Sequence, residues 1–148
     1  MHWKARLPVL AAALWWGSLT GIGLVAVPLL FSHLPAATAG QVAARLFTGQ
    51  TWISLGCGLL VLIAARTGDD PPTMDWGRGA IAFVIGGLLL AILTEYAVAP
   101  RIRLRQDLAF WHTLGSVFYA AQWICALAVF LKLSAPTSSP TSASASPS

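Results

Sequence analysis

A chain of 148 residues that is 57% apolar and only 9% charged, with a net charge of +4 and a mean hydropathy of +0.72, lacks the roughly 25% of charged residues that cover a soluble globule. A soluble enzyme domain, a disulfide scaffold and a nucleic-acid binder are excluded as main readings, and an integral membrane protein is indicated. The nine Lys and Arg stand at the ends of apolar segments, where they anchor spans instead of contacting a polyanion.

Residues 7–31 carry no charge and exceed the ~7–15-residue apolar core of a signal peptide, so they form a first span. Gly17, Gly21, Leu24 and Pro28 share one helical stripe, and the GxxxG of Gly17 and Gly21 is expected to serve as a packing face. Pro28 removes a backbone hydrogen bond and is expected to bend the helix near its end. Pro35 followed by alanines starts the next helix, whose apolar part is residues 46–65. Gln41, Arg45, Thr48, Trp52 and Gly56 recur on one face of it, expected to point inward. Cys57 and Cys125 lie in separate apolar runs with no metal or disulfide spacing and read as packing residues.

Residues 66–79 hold Gly68, Asp69, Asp70, Pro71 and Pro72 and read as a polar loop. Residues 80–99 form a third span ended by Pro100. Arg101, Arg103 and Arg105, alternating with apolar residues, suggest a short extended or interfacial connector. Residues 110–133 form the fourth span, and the Ser/Pro/Thr/Ala tail at 134–148 is expected to be disordered. The fold class is therefore all-α integral membrane: a four-helix transmembrane domain at 1–133 and a tail. An even number of spans puts both termini on one side. Lys4 and Arg6 beside the first span favour the cytoplasmic side of a bacterial inner membrane.

Glu95 is the one charge within the third span and, at about 1.5 Å per residue, lies roughly 6 Å inside its end. An intramembrane carboxylate needs a partner or a proton, and Arg45 and His112 lie at similar depth on the same side. A connector Arg is a further candidate partner. The cluster reads either as a site that moves protons or cradles a ligand, or as a structural pair pinning helices. His112, Ser116, Tyr119 and Trp123, with Gln122 beside them, make one face of the fourth span polar and aromatic, a face that must meet other helices or a small hydrated cavity. Trp3, Trp76 and Trp111 fit an interfacial belt, and Trp15, Trp16, Trp52 and Trp123 fit the core.

No cofactor is demanded by these residues. The sharpest alternative is a haem held by His33 and His112 at one membrane face, with a metal site from His33, His112, Glu95 and Asp107 beside it. No nucleophile set or phosphate loop is present.

Leu14-Trp15-Trp16-Gly17-Ser18 through Gly23, then Pro28-Leu29-Leu30-Phe31-Ser32-His33-Leu34-Pro35, then Ala39-Gly40-Gln41 through Phe47 resemble the domain of unknown function numbered 4149, a family that includes transmembrane protein 205 relatives. Pro100 and the Phe110-Trp111-His112 stretch to Ser116 are similar to a later part of that family. The resemblance covers residues 5–133 and implies a four-span membrane protein without an assigned biochemical activity. A more distant likeness to copper-resistance and protoporphyrinogen-oxidase-type bundles is one of fold alone. The function expected is that of a non-enzymatic transport accessory or assembly partner, acting through helix packing and a buried polar cluster. Its partners would be the lipid bilayer, a second copy or other membrane proteins. The alternative is a haem- or metal-binding membrane redox protein.

Overall fold

The computed structural model describes residues 3–67 and 74–135. The helices are α1 (Trp3–Thr20), α2 (Val27–His33), α3 (Ala36–Thr67), α4 (Met74–Leu93), α5 (Ala99–Arg103) and α6 (Leu108–Ser134), with π-helical segments at Gly21–Ala26 and Thr94–Val98. They combine into four spans long and apolar enough to cross a membrane: Arg6–His33, Ala36–Arg66, Gly79–Arg103 and Leu108–Ser134. In hydrocarbon only a chain that bonds its own backbone can span, which is why uninterrupted apolar segments resolve as helices. The chain is an integral membrane protein with an all-α, four-span bundle. The proposed tail and the tip of the 66–79 loop lie outside the described residues.

The spans alternate in direction. One end of the bundle, the terminus end, holds the start of α1 and the end of α6. The other, the connector end, holds the turns after His33 and after Arg103. Toward the terminus end the helices pack closely around Ala12, Trp15, Cys57, Val84, Ala126 and Val129, all buried. Glycine permits this approach. A Cβ at Gly87 would lie 2.8 Å from the Trp15 ring, and one at Gly58 would lie 2.6 Å from Leu88. Trp16 stacks on Phe130, with ring centroids 5.9 Å apart, and tilts against Trp123 at 5.7 Å.

Neither proline ends its span. The Val27 N–H reaches Ile22 O and the Ala99 N–H reaches Thr94 O, each five residues back, just before Pro28 and Pro100. The wider π turn takes up the place where the proline lacks a donor and would crowd the preceding carbonyl. Helix therefore continues through Pro100 to Arg103. The connector is not extended but a tight turn, with Arg105 at φ 54° and Asp107 at φ 37°, held by Arg105 N–H to Ile102 O and Gln106 N–H to Arg101 O, each 3.1 Å.

Two helix faces are rotated from expectation. On α3, Gln41, Arg45, Trp52 and Gly56 are exposed, with Trp52 63% accessible. The buried stripe is Ala39, Ala43, Gln50, Ser54, Cys57 and Val61. On the first span, Gly17 and Gly21 face outward with nothing within 4 Å of where a Cβ would sit, so they are not the packing face within the bundle. Gly23 fills that role instead, directly against the ring of Tyr119.

Candidate functional site

Toward the connector end the spans stand apart around a partly open cavity of about 640 Å³. Its wall draws on residues 19–31 of the first span, 40–51 of the second, 94–103 of the third and 112–124 of the fourth. Both π-helical turns contribute, through Gly23 and Leu24 on one side and Thr94, Glu95 and Val98 on the other. Such turns re-aim side chains within a helix that otherwise runs on, and they recur at functional sites.

Glu95 stands in this wall with its side chain 15% exposed. Its Oε1 accepts from Thr48 Oγ1 at 2.9 Å and from Arg103 Nη2 at 3.3 Å. Arg103 sits two helical turns further along and is 54% exposed, so it reaches back from the rim as long basic side chains do. The partner of Glu95 is thus the connector-side arginine and a threonine of α3. Arg45 is exposed and makes no ion pair among the described residues. His112 lines the cavity near its exposed rim without a bond to Glu95.

On α6, Ser116 donates to its own helix at His112 O, 2.9 Å away, and lines the same space. Tyr119 donates to Leu19 O at 2.7 Å and meets the Phe47 ring edge-on with centroids 5.3 Å apart. The inner end of the cavity is closed by a polar knot. Gln50 Nε2 donates to Ser18 at 3.0 Å and to Ser54 at 3.2 Å, and Gln122 Nε2 donates to Ser54 at 2.9 Å. Trp123 adds a bond to Thr20 at 2.9 Å. Ser54 is fully buried, Gln50 is 2% exposed, and Gln50 Oε1 has no partner. Sequence reasoning placed Gln122 on the polar face of its span but did not join Gln50, Ser54 and Ser18 to it. The signal was there: two glutamines deep within apolar segments must find bonds across helices.

The histidine pair and the larger metal set do not form one constellation. His33 is exposed and turned back onto its own helix, with Nδ1 3.0 Å from Leu29 O and 2.8 Å from Ser32 Oγ. It is not in the cavity wall, whereas His112 is. Among the described residues no group of three or more His, Cys, Asp or Glu is placed to hold a metal ion. At the rim, Arg101 lies over the Trp111 ring, 4.3 Å from its centroid, a cation–π pair suited to the headgroup level. Trp15 is fully buried and Trp16 and Trp123 pack against it, as expected of core residues, and Trp52 is not among them.

A family profile described as a domain of unknown function, DUF4149, matches residues 10–110. The chain belongs to the DUF4149 family. The matched part of this DUF4149 protein takes in the first three spans and the turn, so Thr48, Glu95 and Arg103 lie within it. His112, Ser116, Tyr119 and Gln122 lie beyond it. No curated protein and no solved structure matches the chain.

Proposed function

We propose that this DUF4149 protein is a non-enzymatic transport accessory or assembly partner that works by taking a membrane-dissolved molecule into the cavity between its spans. The observation that carries this reading is the combination of a drug-sized space, within the ~300–1,000 Å³ of ordinary ligand sites, with wall hydroxyls bonded to structural partners. Ser116 donates to the main-chain oxygen of His112, not to its ring, and Tyr119 donates to Leu19 O. Thr48, whose hydroxyl meets the Glu95 carboxylate, lies outside the wall, and among the described residues the wall hydroxyls of Thr51, Thr94, Ser116 and Tyr119 donate to main-chain oxygens. The outward Gly17 and Gly21 face is offered to a second copy or another membrane protein. Both termini are assigned to the cytoplasmic side of a bacterial inner membrane, and reporter fusions at Pro71 and Ser134 check that assignment.

Mass spectrometry of small molecules extracted from gently purified protein tests the proposal. An Ala44→Phe variant, which puts a ring into the cavity wall, should lose a guest that the parent carries. Identical extracts from both would overturn the reading. So would a Soret band lost in His33→Ala and His112→Ala variants, which would point to haem chemistry instead.

A further inference from the structure

Away from the rim, where His112 and Arg103 keep N–H donors, the donors of the cavity wall are bonded within the protein. Thr51 donates to Phe47 O at 3.1 Å and Thr94 to Leu90 O at 2.8 Å, in the same way as Ser116 and Tyr119. Both glutamine amides donate to serines, and the Trp123 indole donates to Thr20. These donors are spent within the bundle. Glu95 differs, because both of its bonds fall on Oε1, and Oε2 has no partner among the described residues. At the inner end, Gln50 adds an unpartnered buried amide oxygen. The only formally charged side chains in the wall are Glu95 and Arg103, and Arg103 is the half-exposed one at the rim.

We infer that the cavity takes an organic cation with an apolar body, whose ammonium N–H donates to the free oxygen of Glu95. This rests on the reading of the cavity as a binding compartment and names the chemistry of its guest. An anion would find only Arg103, half-exposed at the rim and already paired with Glu95. A purely apolar guest would dry Glu95 Oε2 without replacing its bond, which is costly. An ammonium satisfies that oxygen with a charge-assisted bond, while its body lies along Phe47, Val98 and Ile102. Two sources supply such a group: a free lipophilic amine, and the headgroup of an aminophospholipid, whose phosphate would face Arg103.

The test uses the full chain in phosphatidylcholine nanodiscs and the fluorescent amine dansylcadaverine, with its N-acetylated twin as an uncharged control. The parent should bind the amine at least about tenfold more tightly than the twin, a difference of ~1.4 kcal/mol. Glu95→Gln should erase that preference, and Ala44→Phe should abolish binding of both probes. Arg103→Ala should tighten amine binding severalfold, because Glu95 loses its competing cation. A merely destabilised variant would bind more weakly, so this arm holds even if Glu95→Gln folds poorly. Equal binding of both probes to the parent and to Glu95→Gln, with Ala44→Phe still abolishing it, overturns the amine inference and leaves the cavity reading standing. Binding untouched by Ala44→Phe overturns both. Repeating the titration in phosphatidylethanolamine separates the sources, since competition identifies the headgroup amine and undiminished binding identifies a free amine. Either result supports the inference.

Discussion

The terminus half and the connector half of this bundle draw on the same apolar residues and end up built differently. In the terminus half, Gly87 admits the Trp15 ring and Gly58 admits Leu88, so the helices close to contact. In the connector half Gly23 meets the Tyr119 ring, but Gly40 has nothing within 4 Å, and Phe47, Phe31 and Val27 border open space. The difference shows that glycine brings helices together only where a large side chain from the facing helix fills the notch. Within lipid there is no hydrophobic force to close a gap otherwise. The π turns and prolines of the first and third spans sit where packing gives way, and the polar knot marks the boundary.

The sharpest way to break this comparison is to remove the wedge on the packed side. Trp15→Ala should lower stability by about 3–5 kcal/mol, read from unfolding in detergent. Added bulk sharpens the contrast. Gly87→Val should cost about 1–3 kcal/mol by overpacking, whereas Ala44→Phe, which points into the cavity, should stay within ~0.5 kcal/mol of the parent. Equal losses from the two would show that the halves are not differently packed. At the boundary, Ser54→Ala leaves the Nε2 groups of Gln50 and Gln122 without a shared acceptor and should cost about 0.6–1.7 kcal/mol, the range of interhelical hydrogen bonds in a membrane. Combined with Gln122→Leu, the losses should fall short of additivity. On the open side, Arg103→Ala should change stability by less than about 1 kcal/mol, since a half-exposed ion pair is worth little. One expected effect is a gain. Arg105→Gly should raise stability by roughly 0.5–1 kcal/mol, because glycine adopts the positive φ of that turn without strain.

What the sequence makes legible follows from the same contrast. Four long apolar segments bounded by Arg, Lys, Gly and Pro suffice to mark the spans, because backbone bonding in hydrocarbon leaves helix as the only solution. The rotation of each helix is another matter. When every face is apolar, hydropathy does not separate lipid-facing from helix-facing positions. Polarity then misled on α3, where Arg45 and Trp52 point outward, and the GxxxG pair misled on α1 for want of a matching large residue. Glu95 was legible as a residue in need of a partner. A connector arginine stood among its candidate partners, but which one was hidden, because Pro100 reads as a helix end and only a helix continuing through it lets Arg103 reach back to the carboxylate.

The polar knot also bears on how the protein is made. As the chain emerges in order, the first two spans already carry Ser18 and Gln50, and their bond of 3.0 Å can form before anything else exists. Ser54 accepts from Gln50 within its own helix, but its second bond comes from Gln122, which is synthesised 68 residues later. The nascent first hairpin therefore enters the bilayer with the Gln50 amide already bonded to Ser18 and Ser54, and the last span to insert adds the bonds from Gln122 and Trp123 that lock the earlier spans in place.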